Sequence, residues 1–306
     1  MRSLRKIGRE LAATARSPTV SYAGRSRRVR PVDFDLDLPS GRVHARSWGA
    51  DDAPILLCVH GISANLTAFT YLADRLAGPD RRVVAFDLRG RGRSEITPPG
   101  SYGLDSHARD VLAVADALGA DAVDLTGWSL GALIAMRVAR DDGTRVRSVS
   151  LIDHIGPAQR AALAPVRAGF ARLDAAVPDP AAYLDSVRAA GIVDPWTPFW
   201  DEHHAYELAE QPDGTWRPTT SRAAAEEDLF QRWPTDWTDH WRALTMPAVA
   251  VRAMRPLNGA VLIGDEAVAD LRATNPAVRV VETPDSNHFT CIVDPVTAEA
   301  VGSVLR

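Results

Sequence analysis

The chain has 306 residues, 46% of them hydrophobic and 24% charged, which excludes disordered and fibrous classes and leaves enough apolar residues for a sizeable core. Its formal net charge of −4 excludes a global positive field of the kind that gathers nucleic acid or an anionic membrane. No stretch approaches the ~20 apolar residues that span a bilayer, no secretory apolar core is visible, and Cys58 and Cys291 lie in apolar segments that suit reduced buried thiols, so a cytoplasmic location is expected.

Residues 1–30 carry nine basic side chains against one acid, Glu10, and read as a solvated basic arm or helix, with docking to an acidic partner or a membrane surface as the sharper alternative. Next, Val32, Phe34, Leu36 and Leu38 alternate with Asp33, Asp35 and Asp37, and Pro39-Ser40-Gly41 turns the chain into a second strand that ends near Trp48. This pattern predicts a half-exposed hairpin. Short apolar runs follow at Ile55–Val59, 83–86, 122–126 and Val146–Ile152, separated by helix-spaced stretches at 65–77 and 105–118. Strands apolar on both sides and alternating with helices predict a mostly parallel sheet covered on both faces.

The alternation stops at Gly156 and resumes at Pro247, where strands at Ala248–Ala253 and 278–282 flank a helix over 266–275. The expected organisation is therefore an eight-stranded α/β core formed by residues 31–155 and 243–306, interrupted by a helical cap over 156–242. That insertion holds Trp196, Trp200, Trp216, Trp233, Trp237 and Trp241, six of the eight tryptophans.

Gly127-Trp128-Ser129-Leu130-Gly131 has the form G-x-S-x-G. The pattern arises by chance in about one chain in ten of this length at average glycine usage. Here it follows a strand and opens an Ala/Leu/Met-rich helix at 132–140, the setting a nucleophilic serine on a tight turn requires. A side chain on either flank of Ser129 would meet neighbouring backbone, hence glycine at both positions. The Leu130 amide, at the helix N-terminus, can donate to an oxyanion formed on a substrate. Upstream, His60-Gly61-Ile62 ends the strand Ile55–Val59, and the Ile62 amide is the candidate second donor.

His60-Gly61, the run Phe86-Asp87-Leu88-Arg89-Gly90-Arg91-Gly92-Arg93-Ser94, Gly127 to Gly131, and Ser286-Asn287-His288 together resemble the α/β-hydrolase superfamily. The resemblance is to its capped bacterial esterase-like branch and covers about residues 32–306. It implies that Asp87, Arg89 and Ser94 hold the loop beside the site, and that His288 stands opposite Ser129. A general base must be near neutral at pH 7, reach the hydroxyl and return the proton, and histidine does this unperturbed.

The family commonly places an acid just after the seventh strand, but Ala253-Met254-Arg255-Pro256-Leu257-Asn258-Gly259 has no carboxylate. Asp265 and Glu266 follow, at a helix start where acids stabilise the terminus; they stand in reserve. Asp153 ends the sixth strand, a position at which some haloalkane dehalogenases of the superfamily carry this acid. The order Ser129, Asp153, His288 is kept, so Asp153 is the expected third member.

Serine rather than aspartate at the elbow disfavours dehalogenation and epoxide opening and leaves acyl transfer. The site suits carbonyl substrates (esters, lactones and thioesters, less often amides or the C–C bonds of diketones), and the expected reaction is hydrolysis of a carboxylic ester or lactone. The substrate is a small molecule with an apolar or aromatic part, met by Trp128, Trp196, Trp200, Tyr206 and His154. Tryptophans at helical spacing such as Trp233, Trp237 and Trp241 can equally pack between cap and core. His154, His203 and His204 lack acids at ligand spacing, and no metal or organic cofactor is expected. The competing reading is a non-hydrolytic protein on the same fold, a ligand receptor or a cyclase or lyase. Oligomeric state is not legible.

Overall fold

The computed structural model describes residues 30–231 and 233–306. The basic arm expected over 1–30 lies outside the described residues, Arg30 excepted.

Among the described residues ten strands form in chain order: β1 (Val32–Leu38), β2 (Gly41–Trp48), β3 (Ile55–Val59), β4 (Arg82–Phe86), β5 (Val123–Trp128), β6 (Val146–Ile152), β7 (Leu208–Glu210), β8 (Trp216–Pro218), β9 (Ala248–Ala253) and β10 (Arg279–Thr283). The helices are α1 (Thr70–Leu76), α2 (Leu104–Ala117), α3 (Leu130–Asp142), α4 (Ala164–Gly169), α5 (Pro180–Ala189), α6 (Pro198–Tyr206), α7 (Arg222–Phe230), α8 (Thr238–Arg242), α9 (Asp265–Thr274) and α10 (Pro295–Gly302).

Eight strands make one sheet in the order β1-β2-β4-β3-β5-β6-β9-β10. Only β2 runs against the others: it pairs antiparallel with β1 and β4, and the remaining neighbours are parallel. This is the α/β-hydrolase fold, with helices on both sheet faces.

The strand sequences explain why both faces are covered. Successive side chains of a strand point to opposite sides. In β3, Ile55, Leu57 and Val59 enter the cluster containing Leu104, Val111, Leu133 and Leu271 of α2, α3 and α9. Leu56 and Cys58 enter a second cluster with Leu72 of α1 and Val301 of α10. At the edge, β1 keeps its polar half outward, and Asp33 lies opposite Arg46, Asp35 opposite His44 and Asp37 opposite Arg42. The Asp–Arg pairs among them, of opposite charge, also discourage edge-to-edge association.

Two elements differ from the sequence expectation. The 65–77 stretch, read as one helix, starts with a 3-10 turn at Leu66–Phe69 before α1. Asn65 caps that turn through Thr67 N–H, while the Leu66 N–H is drawn 2.7 Å to Asp87 Oδ1. The inserted segment is not wholly helical either, because β7 and β8 pair as an antiparallel hairpin. The Asp213-Gly214 turn, with Gly214 at φ 79°, is the local signal for it.

Candidate active site

Ser129, Asp153 and His288 come from three loops at the carboxyl edge of the sheet. β3 lies between β4 and β5, so the winding reverses there, and such switch points open a crevice at the strand ends. The register sets Gly127 beside Leu151 and Trp128 beside Ile152. The next residues in line are Ser129 and Asp153, and Ser129 N–H donates to Ile152 O at 2.9 Å.

The turn at Ser129 is tight, with φ 57° and ψ −117°. A Cβ on Gly127 would sit 2.0 Å from Gly131 O, and one on Gly131 would sit 1.9 Å from Val59 O. Both flanking glycines are therefore steric necessities, and the second lets α3 press its first turn against the end of β3. Leu130 is the first residue of α3, so its amide has no carbonyl partner within the helix. Gly61 is close as well: a Cβ there would lie 3.2 Å from Ser129 Cβ. The Ile62 amide belongs to the adjoining peptide.

His288 Nε2 lies 3.0 Å from Ser129 Oγ, and His288 Nδ1 lies 2.8 Å from Asp153 Oδ2. Asp153 is fully buried, His288 is 5% exposed and Ser129 9% exposed. The other carboxylate oxygen, Asp153 Oδ1, accepts the Ala253 N–H at 2.9 Å, so the carboxylate is fixed at both oxygens. The carbonyl of His288 accepts from Trp128 Nε1 at 3.0 Å and from Cys291 Sγ at 3.3 Å. Asp265, held in reserve, is turned away: it is exposed and pairs with Arg252 at 2.5 Å. Glu266 is an exposed first-turn residue of α9.

His60 is wholly buried, and its Nε2 accepts the Leu88 N–H at 3.0 Å. That leaves Nδ1 as donor to Gly61 O at 2.7 Å. Burial pushes this imidazole down to about 3, so it is a neutral prop rather than an acid or base. Burial, aided by the charge of His288, likewise pushes His154 down to about 3. Its Nδ1 accepts Gly156 N–H at 3.2 Å.

A shallow recess, its roughly 170 Å³ of empty space partly open to solvent, borders His288 and is lined by Ala162, Ala253, Arg255, Leu257, Ala260, Val261 and Leu262. None of the five residues expected to meet substrate lines it. Trp128 packs against His288, with ring centroids 5.9 Å apart. Trp200 is 2% exposed within a core cluster. Tyr206 donates its phenol proton to Asp87 Oδ2 at 2.7 Å. Trp196 donates to Asp201 Oδ1 at 2.9 Å and stacks on His204. His154 serves its own turn, as above. Trp237 and Trp241 belong to the main core, where the Trp241 indole donates to Ile155 O at 2.8 Å. Arg255 and Leu257, which line the recess, fall in the stretch after β9 where the family commonly places an acid, and no spacing signal in the sequence marks them.

The resemblance to a loop-holding motif also has a geometric content. Asp87 accepts from Leu66 N and Arg93 N at 2.7 and 2.9 Å. Arg89 takes Asp110 through two nitrogens, at 2.7 and 2.5 Å, and Ser94 donates to Asp87 O at 2.6 Å. Among the described residues, no three His, Cys, Asp or Glu side chains group so as to hold a metal ion, and no helix is long and apolar enough to cross a membrane.

Residues 54–295 match the family model described as alpha/beta hydrolase fold. The chain is similar to a 2-(acetamidomethylene)succinate hydrolase of Mesorhizobium japonicum, 30% identical over 85% of this chain and 91% of that one. It is also similar to an N-formylmaleamate deformylase of Pseudomonas putida, 28% identical over 81% and 86% of the two chains. A 3-hydroxybutyrate-oligomer hydrolase of Cupriavidus necator is 27% identical over 84% and 91%. Among solved structures, that of E-2-(acetamidomethylene)succinate hydrolase gives a TM-score of 0.79 at 24% identity, covering 90% of this chain and 99% of that one.

Proposed function

The chain belongs to the α/β-hydrolase fold family, and on that premise we propose that it is a serine hydrolase cleaving a carboxylic ester or lactone through an acyl-enzyme on Ser129. One observation carries the reading: the unbroken hydrogen-bonded run from Asp153 Oδ2 through His288 to Ser129 Oγ, with spacings of 2.8 and 3.0 Å.

In this reading His288 Nε2 takes the Ser129 proton as Oγ attacks the substrate carbonyl carbon. The tetrahedral oxyanion accepts from the Ile62 and Leu130 amides. Collapse breaks the bond to the alcohol oxygen, which leaves with the proton held by His288. Water, deprotonated by the same imidazole, then attacks the acyl carbon and releases the acid and Ser129. Asp153 fixes the tautomer with the proton on Nδ1 and stabilises the imidazolium that forms twice per cycle.

Segment 156–242 acts as a cap. The recess beside His288 leaves no enclosed room even for a water-sized group, against the ~300–1,000 Å³ of ordinary ligand sites, so substrate enters when the cap shifts. The mostly aliphatic lining favours an apolar acyl or alcohol part, with Arg255 as the one cationic side chain at the recess. The buried free thiols of Cys58 and Cys291 support a cytoplasmic location.

A second reading, cleavage of an amide-type bond, is favoured by the names of two relatives, the deformylase and the acetamidomethylene hydrolase. Steady-state kinetics on nitrophenyl esters, lactones and matched anilides tests both. Ester or lactone turnover that falls about 10⁶-fold in Ser129→Ala is the expected outcome. Anilide turnover without ester turnover selects the amide reading, and no turnover of any class returns the protein to the non-hydrolytic alternative.

A further inference from the structure

The loop that carries the Ile62 amide is held at three successive carbonyls. Gly61 O accepts from His60 Nδ1 at 2.7 Å, Ile62 O from Arg91 Nε at 3.0 Å, and Ser63 O from an Arg172 guanidinium nitrogen at 2.7 Å. A peptide unit is planar and trans, so fixing a carbonyl fixes the direction of the N–H across the same bond. The His60 contact therefore aims the Ile62 N–H, and the two arginines fix the next two planes, so the loop cannot rotate about residue 62.

Both arginines are tied to the inserted segment. Arg91, wholly buried, pairs with the equally buried Asp228 of α7, which also accepts from Gly103 N at 2.7 Å and from His107 Nε2 at 2.9 Å. Arg172 belongs to the insertion itself and pairs at 3.0 Å with Glu207, which further accepts from Tyr183 and His204. Burial favours protonation of both carboxyls, but the facing guanidinium and hydrogen bonds prevail and hold each down at about 2. Both pairs are thus charged at neutral pH. Asn65 Nδ2 adds a bond to His203 O at 3.2 Å. A buried ion pair contributes little net stability over apolar residues of the same volume, so the fully buried Arg91–Asp228 pair, and the half-buried Arg172 on its buried partner Glu207, are better explained by where they hold the loop than by stabilisation of the fold.

We infer that Arg91 and Arg172 are positioning residues that lock Gly61-Ile62-Ser63 in the donor-presenting conformation, and that Asp228 and Glu207 make this lock depend on the inserted segment being seated. The inference rests on the acyl-enzyme reading above. Its consequence is a site whose oxyanion donor is aligned when the segment is closed and loosened when it lifts, which ties bond cleavage to the closed state.

The test compares the full chain with Arg172→Gln, Arg172→Lys and Asp228→Asn. Five quantities are read: thermal midpoint, kcat and KM on a nitrophenyl ester, rate of fluorophosphonate labelling, and inhibition by an alkyl boronic acid, whose serine adduct is a tetrahedral anion. Loss of a whole oxyanion donor costs about 10²–10³ in kcat, so a misaimed one is expected to cost roughly 10- to 100-fold. Arg172→Gln and Asp228→Asn should lose kcat with KM little changed, and boronate inhibition of the remaining activity should weaken in step. Arg172→Lys, which keeps the charge and one donor, should recover part of both.

Unchanged kcat in folded variants overturns the inference. So does a kcat loss with boronate inhibition intact, because that pattern reports only a smaller folded fraction. Should Asp228→Asn fail to fold, the two Arg172 variants, at a side chain that is partly exposed, carry the test. A wild-type protein that neither labels nor turns over ester defeats the acyl-enzyme reading itself. A wild type that labels at Ser129 while the variants label equally fast defeats only the lock.

Discussion

Ser129 stands at a backbone conformation that side-chain-bearing residues rarely adopt, and its neighbours explain why it stays there. Its amide is bonded to Ile152 O, and the glycines on both sides admit the approach of β3 and α3. Asp153 is the second positive-φ residue of the site, at φ 48°. Strain at two of the three aligned residues fits a site whose geometry is imposed by its surroundings. Replacing Asp153 by Asn keeps the shape but offers His288 the wrong tautomer, and kcat is expected to fall about 10⁴-fold with KM nearly unchanged. Wild-type kcat in that variant removes Asp153 from the relay. At this scale the sequence is most legible where chemistry is local: the glycine-flanked serine, the histidine after the last strand and the aspartate after β6 are the expected residues that the geometry brings together, with their catalytic roles resting on the proposed reading. Arg91 and Arg172 were illegible because their meaning lies in contacts with Asp228 and Ser63, 137 and 109 positions away, and no spacing rule reports such pairs.

Elements were legible where a period was strong. Two-sided apolar strands gave β3, β4, β5, β6 and β9 to within a residue or two, because a strand covered on both faces leaves little choice of residue. The insertion was less so, since its helices are short and its hairpin has three-residue strands, too brief to show alternation. Two glycines in helices illustrate how packing decides a substitution. Gly131→Ala in α3 would drive a methyl to 1.9 Å from Val59 O, and a loss of more than about 4 kcal/mol is expected in urea unfolding. Gly169 closes α4 at φ −61° in the α region, and a Cβ there meets nothing within 4 Å. Gly169→Ala should therefore stabilise by about 0.5–1 kcal/mol through the unfolded chain's lost freedom. A neutral Gly131→Ala would show that α3 and β3 do not approach as described.

For the molecule as a whole, buried neutral histidines are expected to set the acid limit of stability. His60 and His154 are pushed by burial from the ordinary 6.5 to about 3, and burial likewise holds His203 well below 6.5. Between those values the unfolded chain binds protons that the folded chain refuses, so stability falls as pH falls through that window. Each such imidazole contributes a slope of about 1.4 kcal/mol per pH unit once the unfolded form is protonated. Asp228 and Glu207, lowered to about 2, act in the same direction but later: their contribution is complete above the ordinary carboxylate range and is lost as pH falls toward 2. Urea midpoints should therefore decline steeply from pH 6 to pH 4.5. A flat profile there would mean that these imidazoles are hydrated in the folded protein.

The proton shared by Ser129 Oγ and His288 Nε2 is tested most directly by intact-mass and peptide mass spectrometry after exposure to a fluorophosphonate. One adduct per chain on Ser129, absent from Ser129→Ala and slowed by orders of magnitude in His288→Ala, is the expected result. An unlabelled native chain, or a label on another residue that persists in Ser129→Ala, would contradict it.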